Sequence, residues 1–501
     1  MDKENKKNLR EKIMRKTYES QYSFGDVDIR KVETNPKSRD EIDKATEGLK
    51  FIYTTEEIKK EVFSILEKEI LPNVSKKTGR RGMDLWKILV LGVMKQTCSC
   101  DYDHLHHLAN NNLMIRELLG HPRAEWGAYK YEYQTIVDNI TLLRPEVIDK
   151  VNEIVVNTGH KLLGGKKKEE LRASVDSFVV KTDIHFPSDI SLLNDSIRKS
   201  ISLTKQLSEQ LGKSGWRQSS YLIKSFKTDL RKVQKVKHSG KSATDEKKKV
   251  VHKELIERAC KLFDKVKSSL SEIRVDAMFN LTYEMMAEEI EIYIGYGEKQ
   301  IELITRRVLN EEEIPHSEKI FSIFEPYTRW ISKGKAGVLV EFGLPVSIIR
   351  DQHGFILDYE IMEQSNDVDV AVPLTTRAKE KFPVIKSCSY DKGPWSPSNR
   401  KIIGEIVEIP VMPKKGRPNK AEQAEESSET FKKLRRQHSA VESSINGLDH
   451  TGLDKCYDHG IAGFKRCVAL SILSRNIHTL GKLIREKQEK QKKRKRYKKA
   501  A

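Results

Sequence analysis

An interrupted run of strands constrains this fold more than any other feature of the chain. RASVDSFVVKTDIHF, from Arg172 to Phe186, is rich in β-branched residues and reads as a strand. From about Ile190 to Glu325 the sequence is highly charged, helical in pattern and almost free of proline. Strand-type sequence resumes only afterwards, in VLVEFG, PVSIIRD and FILDYEIM. Residues 190–325 are therefore expected to be a helical insertion into a domain that begins before them and ends after them.

Gly343 and the DQHG at Asp351 to Gly354 are expected to supply turns, which predicts an antiparallel meander. A short helix near Pro373 to Lys381 comes next, then the strand VIKSCSYD, which ends at Asp391. Ser396-Pro397 starts another helix, and IVEIPVM reads as a last strand. A helix carrying Glu442 is expected from Ser427 or Ser428 to Gly447. A second one has Phe464, Val468, Leu473, Ile477, Leu480 and Ile484 on one side. Without the insertion the order is strand, strand, strand, helix, strand, helix, strand, helix, helix. That order predicts an α/β class with a ribonuclease H-like mixed five-stranded sheet and flanking helices.

The 501 residues are too many for one ordinary core. Residues 1–50 are polar and broken by Gly25 and Pro36, and are expected to form a loosely attached arm. Residues 51–165 read as a helical, helix-turn-helix-like DNA-binding domain. Thr54 and Glu57 have capping-box spacing, Asp84 and Asp101 or Asp103 suit N-caps, Pro145 suits a first helical position, and Gly159 suits a stop. The catalytic domain is assigned to 166–189 and 326–484, and 485–501 to a basic tail expected to be disordered until it meets a polyanion. The 92 Lys+Arg against 73 Asp+Glu leave a formal net charge of +19, which favours a polyanionic partner through counterion release. Six cysteines argue for a reducing compartment. The opening MDKENKKNLREKI is too polar for a signal peptide, and no apolar run is long enough to span a bilayer.

Three acids stand out. Asp176 lies inside an apolar strand, where an unpaired charge is costly. Asp183 competes for its role but is an odd number of residues away, on the opposite face of a regular strand and nearer its end. Asp391 ends a strand beside Lys392 and Gly393, a place where open sheets collect ligands, although such an aspartate often only caps a turn. Glu442 sits in RRQHSAVESSINGL, with His438 and Asn446 four residues either side and Arg435 on the same stripe. Histidine and asparagine are unusual fillers for a face that only solubilises. Two aspartates on strands and a glutamate on a helix suit a pair of Mg²⁺ ions, about 3.5–4 Å apart, that drives phosphoryl transfer.

At these residues the chain resembles the bacterial insertion-sequence transposases of the DDE superfamily, and within them the ISNCY family. The resemblance rests on VDSFVVKTDIHFPSDISLLNDS, IPHSEKIFSIFEPYTRWISKGKAG, DQHGFILDYEIMEQ, SCSYDKGPWSPSN, MPKKGR and RRQHSAVESSINGLDHTGLDKCYDHGIAGFKRCVAL. It runs from about Ser174 to Asn476, apart from the helical insertion. It implies a catalytic and metal-binding triad of Asp176, Asp391 and Glu442, with Mg²⁺ as cofactor and Mn²⁺ as a substitute. It also implies double-stranded DNA, as transposon ends and target, and at least a homodimer on paired ends. Lys392, Trp395, Arg435, Arg436, His438 and Asn446 are the expected DNA contacts. A bacterial cytoplasmic, nucleoid-associated location follows. Some related families carry a basic residue seven positions after the glutamate, where this chain has Asp449, with His450 or Arg435 as the available substitutes. A non-catalytic DNA-binding regulator and a metal-dependent nuclease stay open as alternatives.

Weaker signals have plainer readings. Cys98, Cys100, His104, His106 and His107 lack the spacing of a zinc finger and suit helix packing better. The KKGRP at Lys414 to Pro418 suits a basic loop beside the site better than a minor-groove hook. Trp395 and Trp216 are expected to pack before they stack on a base.

Overall fold

The structure is a computed structural model, and it describes residues 13–15, 28–35, 37–70, 80–123, 129–164, 170–238, 244–277, 280–332 and 339–500. Most of the basic linker SKKTGRRG, the lysines of KKKEE and much of the N-terminal arm lie outside these residues. The chain forms two compact units, one made of Met1–Asp183 with Ile331–Ala501 and the other of Ile184–Trp330.

The larger unit opens with helices α1 (Glu41–Thr54), α2 (Glu56–Ile70), α3 (Leu85–Thr97), α4 (Tyr102–Asn111), α5 (Leu113–Leu118), α6 (Tyr133–Ile140) and α7 (Pro145–Gly164). The Asp40 carboxylate accepts from Ile42 N–H to start α1, and Asp101 accepts from His104 N–H to start α4. α3 is buried on nearly all sides, as expected of a helix that is apolar all round. Residues 28–50 differ from the expected loose arm. Ile29 and Val32 are buried, and Lys50 Nζ donates to Val32 O at 2.7 Å. Gly159 is not a stop. It lies inside α7, where a Cβ would stand 2.2 Å from the Phe355 ring.

The sheet is built from β1 (Leu171–Thr182), β2 (Val340–Arg350), β3 (Ile356–Ile361), β4 (Ile385–Tyr390) and β5 (Ile409–Val411). Their order is β3-β2-β1-β4-β5. β2 runs antiparallel to β1 and β3, and β1, β4 and β5 are parallel. Two short strands, Arg329–Ser332 and Lys455–Cys456, make this a seven-stranded mixed sheet. Gly354, at φ +90, allows the tight turn between β2 and β3. Gly343 makes no turn. It pairs with Lys181 inside β2, and a Cβ there would stand 2.0 Å from Val180 O. The two expected strands are thus one, with a glycine where β1 comes closest.

Helices α8 (Asp189–Gln210), α9 (Ser219–His238), α10 (Asp245–Ala277) and α11 (Leu281–Ile304) form the second unit. They enclose their own core, which includes Trp216, Phe226 and Phe263. Trp216 is 4% exposed and donates from Nε1 to Ser269 Oγ at 3.2 Å, so it is a packing residue.

After β3 come α12 (Asp367–Lys381), α13 (Pro397–Ile406), α14 (Lys420–Glu426), α15 (Glu429–His438), α16 (Ala440–Leu448) and α17 (Gly460–Ala500). α12 begins earlier than expected, at a capping box between Asn366 and Asp369, and carries Pro373 inside. The basic C-terminal stretch continues α17 to Ala500 instead of ending it, since its Glu, Lys and Gln are strong helix formers. α17 packs on α1, α3 and α7. Its Asn476 Nδ2 donates to Asn152 Oδ1 at 2.7 Å, and Asn476 Oδ1 accepts from Ile356 N–H at 2.9 Å. One hydrophobic core therefore runs from the N-terminal helices through the sheet to α17, and the boundary drawn at residue 165 marks a change of secondary structure and not of core. Among the described residues no helix is long and apolar enough to cross a membrane.

Candidate active site

β1 and β4 lie side by side and parallel, with Val175 opposite Tyr390 and Ser174 opposite Ser389. Side chains alternate along a strand, so Arg172, Ser174 and Asp176 share one face of β1. On β4 the matching row is Ser387, Ser389 and then Asp391, which leaves the strand next to Asp176. Asp176 is half-buried, and its Oδ1 accepts from Ser177 N–H at 2.8 Å. Asp183 is just past the strand and pairs with Lys455 at 2.6 Å, which removes it as a competitor for the same cluster.

Glu442 is exposed in the first turn of α16. Val441, Ser444 and Leu448 on the same helix are buried and press it against the sheet unit's core. Arg475 packs over Gly447, where a Cβ would stand 2.4 Å from its guanidinium carbon. Arg350, buried at the end of β2, donates from Nη1 to Ala440 O at 2.6 Å and fixes the start of the helix. The expected single helix is two. α15 ends at His438, Ser439 separates it from α16, and Glu442 N–H bonds Ser439 O at 3.2 Å, a tighter turn than an α-helix makes. Arg435, His438, Glu442 and Asn446 therefore come from two helices and not from one continuous stripe.

Electrostatics tie the three acids together. The Asp176 carboxyl is pushed up to about 6, first by burial and then by the negative charge of Asp391, Asp367 and Glu442. Asp367 is a fourth acid that pattern reading missed. It occupies the first position of α12, and its Oδ2 lies 3.1 Å from where a Gly393 Cβ would sit. Gly393 thus leaves room for a carboxylate, and the Asn366 capping spacing was the available signal for its helix. Among the described residues none of these four carboxylates pairs with a lysine or arginine.

His438 is half-buried, with Nδ1 3.1 Å from Ser389 Oγ, which itself lies 2.9 Å from Ser174 Oγ. Burial lowers its pKa, opposed by Asp391 and Glu442 and helped by Arg435. Arg435 and Arg436 are exposed on the last turn of α15, Lys392 is exposed after Asp391, and Asn446 is exposed on the last turn of α16. Trp395 is half-buried against the core, with Lys414 Nζ 5.6 Å from its ring centre. Lys414 also bonds Glu422 at 2.6 Å, leaving Lys415 and Arg417 as the exposed cations of that loop.

Hard carboxylate oxygens in uncompensated excess are the donors that Mg²⁺ prefers. Among the described residues no three acidic, histidine or cysteine side chains stand as a ready metal cage. Mg²⁺ needs no such cage where one or two carboxylates are joined by water and a substrate phosphate. Three of the five cysteines and histidines near residue 100, Cys100, His106 and His107, have other partners. Cys100 is buried, and His106 Nε2 lies 2.8 Å from Tyr131 O. Comparison with protein-family models, curated proteins and solved structures gives no match for this chain.

Proposed function

We propose that the chain is a DNA phosphoryl transferase with a ribonuclease H-like core, an insertion-sequence transposase of the DDE superfamily and the ISNCY family. The observation that supports this reading is that Asp391 and Glu442 are near enough to Asp176 for their charge to raise its pKa, with no lysine or arginine paired to any of the three among the described residues. The β3-β2-β1-β4-β5 order, with β2 antiparallel, supports the fold part of the reading.

Asp176, Asp391 and Glu442 would hold two Mg²⁺ ions, or Mn²⁺ in their place, and such a pair activates an attacking oxygen and stabilises a departing one. Lys392, Arg435 and Arg436 are free to neutralise phosphates beside these acids. His438, held by Ser389 and kept neutral by burial, is placed to orient substrate without adding charge. In this reading water cleaves the phosphodiester at the transposon end, and the freed 3′-hydroxyl attacks target DNA. The N-terminal helices would bind the terminal inverted repeats, and two chains would bring paired ends together.

The test is Mg²⁺-dependent cleavage and joining with labelled element ends and supercoiled target. Asp391→Asn is expected to abolish both steps and leave end binding intact. Undiminished joining by that variant sinks the assignment. Cleavage by the wild type without joined products would instead favour a nuclease.

A further inference from the structure

The rows that end in Asp176 and Asp391 begin in a different chemistry. Arg172 and Ser174 on β1, and Ser387 and Ser389 on β4, line a cleft of about 400 Å³. Arg350, Arg436, Ser439 and the exposed Ser443 from the neighbouring segments line its other sides. The volume is in the range of small-molecule sites.

Charge in this cleft is one-sided. Arg172, Arg350 and Arg436 are cationic, and the one acidic lining residue is Asp351. That carboxylate is fully buried and already occupied. It accepts from His353 N–H at 2.8 Å and Phe355 N–H at 3.0 Å, and it meets His160 Nε2 at 2.6 Å. Arg172 and Arg436 are exposed and have no ion-pair partner among the described residues. Arg350 is buried, and its Nε and Nη1 bond the carbonyls of Asp351 and Ala440 at 2.7 and 2.6 Å. Ser174 and Ser389 lie two residues, about 7 Å, before Asp176 and Asp391, and Arg172 lies four residues, about 13 Å, before Asp176 on the same sheet face. Ser389 lines the cleft and also bonds His438, which makes it part of both surfaces.

We propose that this cleft is a phosphate subsite, which takes a non-reacting backbone phosphate of the DNA strand whose reacting phosphodiester lies at the carboxylates. The DNA identity rests on the function proposed above, whereas the anion chemistry rests on the cleft alone. Guanidinium groups give paired hydrogen bonds to phosphate oxygens, and serine hydroxyls complete the shell.

The probe is pyrophosphate, without divalent cation, added to the full chain and followed by thermal unfolding and titration calorimetry. Wild type is expected to be stabilised. The double variant Arg172→Ala/Arg436→Ala, which removes exposed side chains, should bind pyrophosphate at least about tenfold more weakly. Arg231→Ala, in the helical unit, controls for the general attraction of a basic chain. Equal pyrophosphate binding by wild type and the double variant, or none by wild type, overturns the subsite. Failure of the transposase reading is seen separately, as absence of metal-dependent cleavage by wild type.

Discussion

Two sets of acids in this molecule, one buried and one gathered round the half-buried Asp176, are treated in opposite ways. Asp458 and Asp351 are almost wholly enclosed, and each has close partners, Asp458 with Arg466 Nη2 also 3.8 Å from its second oxygen. Lys95 Nζ donates to Asp458 at 2.7 Å, and Asp351 collects two backbone N–H groups and His160. Asp176 is less enclosed, yet it receives one backbone N–H and faces three further carboxylates. A fold selected only for stability would pair Asp176 or replace it, because like charges at this depth cost free energy. The difference separates acids that hold the fold together from acids that the fold leaves without a basic partner, as the proposed metal site requires.

The strongest way to break the comparison is to make Asp458 resemble Asp176. Lys95→Met takes the close partner from a buried carboxylate, leaves only Arg466 at 3.8 Å, and is expected to cost up to about 3–5 kcal/mol, measured by denaturant unfolding. The double variant Lys95→Met/Asp458→Leu should recover most of that loss. If Lys95→Met is neutral, the pair is not structural and the contrast fails.

Next in size is the reverse operation, relief of the strained acid. In the folded chain Asp176 titrates at about 6, against an ordinary 3.8. A raised carboxyl pKa means that the folded state holds its proton more tightly than the unfolded one, so stability falls as pH rises from about 4 to about 6. Asp176→Asn removes that loss. In chelator at pH 8 the variant should be more stable than wild type by on the order of 1–3 kcal/mol, and at pH 3.5 the two should match. Added Mg²⁺ should stabilise wild type and not the variant. A variant less stable than wild type at pH 8 would mean that the carboxylate is a structural asset.

Much of this arrangement was legible in the chain, for local reasons. Asp176 announces itself as a charge inside an apolar strand, and Asp391 as an acid at a strand end beside a glycine. The insertion is visible because strand-type sequence stops and restarts around it. What escaped depends on neighbours distant in sequence. Gly343 and Gly159 read as a turn and a stop, but Val180 O and the Phe355 ring explain them. Asp367 reads as an ordinary first-turn acid until Gly393 brings its loop alongside. The division of α15 from α16 has no glycine or proline to mark it, only the turn at Ser439.

The smallest effect tests the cause of the contrast directly. If neighbouring carboxylates help to raise Asp176, removing them one at a time should lower its pKa in graded steps. Asp391→Asn should lower it most, Asp367→Asn less and Glu442→Gln least, in the order of their electrostatic influence. None should restore the ordinary value, because burial is the largest cause and stays. Carboxyl carbon shifts followed by NMR across pH 3–8 give the three midpoints. An unchanged midpoint in all three variants would leave burial as the sole cause. Asp176 would then be a lone buried acid, and the case for a shared cation would lose its electrostatic support.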